Sequence, residues 1–175
     1  CPQTGRQILL QLHEMLQHQD SLGNPEDRLQ HHAMRIAAKR LRYTLEIARP
    51  VYPGRFDEPL VAIKQVQSLL GDIHDCDVWV DHLDAFAADE HDRIKALFGH
   101  AGRFVRLQPG IDYLRQDRRR HRQEVFGQLV EYWAELGRRR FWEGLTSVVL
   151  ADGGPSPDVT TPQPAGGGSA TATPT

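Results

Sequence analysis

Apolar residues recur every three or four positions along most of this chain, and that spacing restricts what it can fold into. In the first segment, at about 5–19, the apolar positions are Ile8, Leu9, Leu12, Met15 and Leu16. This spacing places side chains on one face of an α-helix, whereas a half-buried strand needs strict alternation. Alternation of that kind is nearly absent. The sequence therefore predicts an all-α helical bundle of about four long helices plus shorter ones.

Turn residues divide the chain into segments. Asn24 or Pro25 is expected to open the second helix, Pro50 to end it, and Gly71 to break or kink the chain between a third and a fourth helix. Helices are predicted at about 5–19, 25–49, 57–70, 72–89, 109–137 and 141–150, with a weaker one at 92–104. From residue 151 onward the chain is mostly Gly, Pro, Ser, Thr and Ala, which cannot bury enough apolar area to order itself. We expect a helical domain at 1–150 and a disordered tail at 151–175.

The second predicted helix carries a line of basic residues spaced about one turn apart. His32, Arg35, Lys39 and Arg42 fall in one narrow sector of a helix, and no acid separates them. Surface helices usually mix both signs of charge, and like charges in a row repel each other. One interpretation is an ordinary solvated face. The other is the wall of a groove that binds an anion.

A second basic run, residues 115–122, contains five Arg and one acid. The apolar pattern of its helix places Arg118 in the core-facing sector and Arg115 and Arg122 at the edge of that sector. A buried guanidinium without a partner is too costly to tolerate. Arg118 is therefore expected either to pair with an acid of the segment 72–77 or to face a cavity that holds anions.

A His-Asp dipeptide, His74-Asp75, favours a different function. With His31 or His32 upstream and Asp112 or Asp117 downstream, its order resembles that of metal-dependent HD phosphohydrolases, in which His and carboxylate ligands hold a metal that activates water. The dipeptide alone is a weak signal in a chain with nine His. A further alternative is a structural or protein-interaction bundle, in which the basic residues pair with the acidic segment 72–92.

Several functional classes lack support in the sequence. No nucleophile–base pair and no Gly-rich phosphate loop is visible, so we expect a binding module without catalytic residues, metal or cofactor. The two cysteines form no disulfide framework, and no apolar run is long enough for a membrane span, which favours the cytoplasm. The net charge is −2. The first residue, Cys1, suggests a piece of a longer parent chain.

Two sequence blocks resemble a known family. The pattern His32-x-x-Arg35-Ile-x-x-Lys39-Arg40-Leu41-Arg42-Tyr43-x-x-Glu46, followed by Lys64-x-x-Gln67-x-x-Leu70-Gly71-x-x-x-Asp75, is similar to the second signature of CHAD domains (conserved histidine α-helical domains). The resemblance covers helix order over roughly 4–150 and is sharp between 32 and 83. It implies an all-helical domain of two pseudo-symmetric four-helix repeats, whose basic helices line a groove that binds inorganic polyphosphate.

Carried over residue by residue, the resemblance assigns phosphate contacts to His32, Arg35, Lys39 and Arg42, and adds Lys64 from the next helix. Helix geometry alone extends the set to Arg115, Arg118 and Arg122. No aromatic residues are interleaved with the basic line to stack bases, so nucleic acid is not the expected partner.

The chain departs from the family in one respect. A full CHAD domain has two such signatures, and this sequence has one, so it resembles the C-terminal half. The resemblance therefore implies either a homodimer or an N-terminal repeat in a longer parent chain. Some family members also carry a CYTH-type triphosphate-processing domain, which such a parent chain could include.

Overall fold

The computed structural model, which describes residues 2–100 and 102–151, is built from five α-helices. The helices are α1 (Pro2–Gln17), α2 (Arg28–Ala48), α3 (Asp57–Phe98), α4 (Gln108–Arg138) and α5 (Phe141–Ala151). Short 3-10 turns lie between them at Gln19–Gly23, Arg49–Val51 and Phe104–Arg106. The described residues contain no strand, and the all-α prediction is confirmed. Of the predicted tail, Ala151 ends α5, and 152–175 lies outside the described residues.

The helices pack in chain order around one core. The helix α2 lies between α1 and α3, α4 packs along α3, and α5 closes the bundle against α1 and α4. One hydrophobic cluster joins all five, with Ile8, Leu41, Val66, Leu129 and Leu145 as members from successive helices. Burial of such side chains is the main stabilising term, since truncation of a buried Leu to Ala typically costs about 2–5 kcal/mol.

The start of α2 is held by contacts of Asp27 and His31. The Asp27 carboxylate accepts a hydrogen bond from the backbone N–H of Gln30 at 3.2 Å, which caps the helix. His31 is buried: its Nε2 lies 3.1 Å from the Ser21 carbonyl, to which it must donate, and its ring packs on Phe126. These contacts fix the rotation of α2, so that the neighbouring His32 lies on the exposed side of the helix.

The predicted break at Gly71 is wrong. The helix α3 runs without interruption for 42 residues and ends at Gly99, whose left-handed φ of 73° caps it. A helical Gly costs only about 1 kcal/mol relative to Ala. Burial of Leu70 and Ile73 on either side of Gly71 outweighs this cost. The segments predicted at 57–70 and 72–89 are therefore one helix, and the weaker helix predicted at 92–104 is divided by Gly99.

Substitution of Gly71 by Ala is expected to stabilise the protein by about 0.5–1 kcal/mol, because Ala has the higher helix propensity. An added Cβ would meet no atom within 4 Å. The matched control is Gly5→Ala in α1, where the added Cβ would lie 3.2 Å from Val149 Cγ1 and should give less benefit. Urea denaturation measures both changes. A loss of stability in G71A would contradict the continuous α3.

Candidate anion-binding site

Four basic residues of α2 share one face of the helix. His32 and Lys39 are exposed, whereas Arg35 and Arg42 are part-buried. From His32 to Arg42 the line extends about 15 Å along the helix axis. The ring of Tyr43 lies beside two of these cations, with its centroid 4.6 Å from the Arg42 guanidinium carbon and 5.9 Å from Lys39 Nζ. These cation–π contacts help to hold Arg42 in place.

The helix α3 adds a second set of polar residues opposite this line. Lys64, Gln67, Gly71 and His74 are spaced three, four and three apart, so they share one face of the continuous helix. The His32 and His74 rings are 4.8 Å apart at one end, and Lys64 Nζ lies 3.2 Å from the Glu46 carboxylate at the other. The two helices are therefore antiparallel. We call the eight residues the α2–α3 face; they are His32, Arg35, Lys39 and Arg42 of α2, with Lys64, Gln67, Gly71 and His74 of α3.

The positive charge of this face is only partly neutralised. Glu46 lies 3.2 Å from Lys64 and 3.4 Å from Arg42, so one carboxylate forms ion pairs with two cations. Neither Arg35 nor Lys39 forms an ion pair with any residue of the described ranges. The face therefore carries more positive than negative charge, although the chain as a whole has a net charge of −2.

Three polar atoms of the face are buried and lack a hydrogen-bond partner among the described residues. They are Nε of Arg35, Nε of Arg42 and Oε1 of Gln67. Buried polar groups are normally satisfied, so an unpartnered donor often marks a place where a ligand or water binds. Gly71 lies on the same face, and an added Cβ there would meet only open space. The face thus combines two N–H donors that lack a partner among the described residues, those of Arg35 and Arg42, with room for a ligand.

The electrostatic effect of the face is visible at His74. Burial lowers the pKa of its imidazole below the usual value, and the positive charges of Arg35 and His32 lower it further. Asp75 and Asp77 act in the opposite direction without cancelling these effects. His74 therefore lies in an environment that disfavours additional positive charge and would favour an anion.

The arginines of α4 are arranged differently from the prediction. The most deeply buried one is Arg122, with 6% exposure, whereas Arg118 is only half-buried. The prediction placed Leu114 on the apolar face of α4 and omitted Phe126; Leu114 is 50% exposed and Phe126 is buried, and both differences move the centre of that face toward Arg122. The expected partner of Arg118 is also wrong, since Arg118 pairs with Asp117 of its own helix.

Each of the α4 arginines predicted to contact phosphate, which are Arg115, Arg118 and Arg122, has a carboxylate partner. Arg122 Nε lies 2.7 Å from Asp77, and its Nη1 donates to the Pro25 carbonyl at 2.6 Å. Arg115 lies 2.7 Å from Asp84 of α3. The pairing that the structural alternative predicts is thus present between the acidic part of α3 and α4. It does not extend to Arg35 or Lys39.

The residues of the HD alternative are dispersed. His31 is committed to the Ser21 carbonyl, while Asp112 pairs with Arg115 and Asp117 with Arg118. Within 2–100 and 102–151, no three His, Cys, Asp or Glu side chains are placed so that they could hold a metal ion. His74 lies beside His32 on the α2–α3 face, a position that the sequence interpretation did not give it.

The fold and the face together define an all-α protein with a basic, part-buried surface between two antiparallel helices. Residues 3–84 match the family model of the CHAD domain, which confirms the predicted resemblance for this segment of the chain. The match spans α1, α2 and the part of α3 that carries the face. Neither the curated proteins nor the solved structures contain a match. None of the described helices is long and apolar enough to cross a membrane.

Proposed function

We propose that this chain binds inorganic polyphosphate, or a similar extended polyanion, along the α2–α3 face. The observation that carries the proposal is Arg35. Its guanidinium is always charged and part-buried, its Nε has no partner, and it forms no ion pair with any described residue. A charge in that position is costly unless an anion accompanies it, and a phosphoryl group would supply one.

The spacing of the face suits a ligand with regularly repeated charges. Cations one helical turn apart are separated by about 5.4 Å, so each can contact a different phosphoryl group of an extended chain. Arg35 and Arg42 offer planar forks to two oxygens, whereas Lys39 and Lys64 act as point charges. The match of residues 3–84 to CHAD domains supports the same ligand class. We leave the α4 arginines out of the proposed site because their charges are already paired.

We propose binding without catalysis, in a reducing compartment such as the cytoplasm. The one cysteine in the described ranges, Cys76, is buried as a free thiol, and burial raises the pKa of that thiol. It therefore stays protonated and contributes to packing.

We further propose that a second repeat covers the face, supplied by another copy of this chain or by another part of a longer parent chain. Three exposed apolar side chains on α2 and α3 support this: Leu29 is 84% exposed, Ile47 77% and Val61 68%. Apolar side chains beside a binding face are suited to packing against a partner. Measurement of the solution mass with and without polyphosphate tests the homodimer.

Titration of the protein with long-chain polyphosphate at several salt concentrations tests the function. Each neutralised phosphate releases counterions, and four or five contacts are expected to give a log–log slope of Kd against salt of about 2.8–3.5, by analogy with single-stranded nucleic acid. Single-stranded DNA at equal phosphate concentration should compete poorly, because Tyr43 is one aromatic ring beside the basic line and successive bases need several rings to stack on. Equal competition would assign the face to nucleic acid, and the absence of binding would contradict the proposal.

A further inference from the structure

The end of the α2–α3 face that carries the two histidines opens into a cavity of about 490 Å³. His32 of α2 and His74 of α3 both line it, together with Arg28, Leu29, Asp77, Val78 and Asp81. The two imidazole rings are 4.8 Å apart and tilted by 45°. Their ring nitrogens are therefore close enough for a single phosphoryl group in the cavity to contact both.

The charged groups around the cavity belong to three helices. From α2 come Arg28 and Arg35, and from α3 come Asp75, Asp77 and Asp81. The acids are largely committed to other partners: Arg28 Nε lies 3.0 Å from Asp77, and its Nη2 lies 2.8 Å from Asp81.

From α4, Arg122 also pairs with Asp77, at 2.7 Å. Asp75, an exposed neighbour of His74, is the remaining acid. The carboxylates that line the cavity are thus already paired with arginines, and together with Asp75 they do not offset the effects that lower the pKa of His74.

Resting on the proposed function, we propose that His32 and His74 form a proton-dependent phosphate subsite at this end of the face. When a phosphoryl group enters, His74 can take up one proton from solvent, and both imidazoles can donate an N–H to a phosphate oxygen; no covalent bond forms or breaks. Without the anion, a positive charge on His74 is unfavourable because the guanidinium of Arg35 is nearby. Phosphate binding and proton uptake are therefore linked, and each favours the other.

The direction of the pH dependence follows from this linkage. Without ligand, the pKa of His74 is lowered by burial, by Arg35 and by His32, so His74 is neutral near pH 7. A bound phosphate would raise that pKa, because an opposite charge favours the protonated imidazole. The protonated population in the complex then grows as the pH falls, and binding becomes tighter on acidification. Each pKa unit of increase corresponds to at most about a tenfold change in affinity.

Calorimetric titration of long-chain polyphosphate between pH 8.0 and 5.5 tests the subsite, because the inner phosphoryl groups of a long chain stay ionised over this range. We expect about a tenfold lower Kd at pH 5.5 than at pH 8.0, with proton uptake detected by comparing buffers of different ionisation enthalpy. In the variant His74→Gln, the ratio of Kd at pH 8.0 to Kd at pH 5.5 should fall by at least half. In the double variant His32→Gln/His74→Gln, nearly all of the pH dependence should be lost. The matched control is His82→Gln, an exposed α3 histidine that does not line the cavity.

The outcomes separate this proposal from the proposed function. Tight binding that does not vary with pH, or a pH dependence that survives in H32Q/H74Q, would overturn the proton-dependent subsite while leaving polyphosphate binding intact. Absence of binding at every pH would overturn both. Circular dichroism confirms that each variant retains its helix content.

Discussion

Charge reversal at Arg35 is expected to weaken polyphosphate binding about 100-fold. The Arg35→Glu variant loses a guanidinium whose charge-assisted hydrogen bonds to phosphate are each worth about 1.5–3 kcal/mol, and it adds a negative charge that repels the ligand. The same change should reduce the slope of log Kd against log salt by about 0.7–0.9 for the lost contact. Calorimetry or fluorescence anisotropy with labelled polyphosphate measures both quantities.

Two further variants make the Arg35 experiment specific. Lys39→Glu should cost about tenfold, because the exposed lysine makes a weaker, point-charge contact. Arg119→Glu causes the same change of net charge on the exposed surface of α4, outside the proposed site, and should change Kd less than twofold. Equal losses in R35E and R119E would show that net charge alone drives binding. Unchanged affinity in R35E, with helix content intact, would remove the assignment of the face.

Removal of the Asp77 carboxylate is expected to destabilise the fold by about 3–5 kcal/mol. The Asp77→Ala variant leaves Arg122, with 6% exposure, as a buried cation without its counter-charge, and breaking such a pair typically costs this much. The contact joins α4 to α3, while the bond from Arg122 to the Pro25 carbonyl joins α4 to the segment before α2. For a domain with a total stability of about 5–15 kcal/mol, the loss is large.

The control for this prediction is Asp81, which lies one helical turn after Asp77 on α3. Asp81 also pairs with Arg28, at 2.8 Å, but its side chain is 59% exposed. Because exposed ion pairs contribute little, Asp81→Ala should cost less than about 1 kcal/mol. Denaturant titration gives both free energies of unfolding. If the two variants lose the same amount, burial does not determine the importance of the Asp77–Arg122 pair.

The helices were largely predictable because their apolar spacing reports directly which side faces the core. The α2 segment, α4 and α5 were all recognised to within a few residues. The break expected at Gly71 shows the limit of local reasoning, because the propensity of one residue is small beside the burial of its neighbours Leu70 and Ile73. Propensity is a property of single residues, whereas continuity of a helix depends on packing along its whole length.

That wrong break also concealed part of the site. When α3 is divided at Gly71, His74 belongs to a separate helix and its orientation relative to Lys64 is undefined. In a continuous helix, the spacing of Lys64, Gln67, Gly71 and His74 places all four on one face. The signal was present in the sequence. Its use required the knowledge that α3 does not end at Gly71.

The pairing of the arginines could not be predicted from spacing. Arg118 and Arg122 point only about 40° apart on α4, so a small rotation of the core-facing direction determines which one is buried, and the burial of Phe126 with the exposure of Leu114 sets that direction. The partner of each arginine depends on the alignment of α4 with α3, which local periodicity does not contain. The line of cations on α2 was predictable because it lies within one helix.

The most direct test of the anion-binding face is an NMR titration that follows the arginine side-chain Nε–Hε signals on addition of long-chain polyphosphate. Nε of Arg35 and Nε of Arg42 are buried and have no hydrogen-bond partner within 2–100 and 102–151, so their signals should shift strongly together with backbone amides of α2 and the middle of α3. The signal of Arg122, whose Nε is held by Asp77 at 2.7 Å, should shift little. Shifts confined to α4, or the absence of shifts at saturating polyphosphate, would contradict binding at the α2–α3 face.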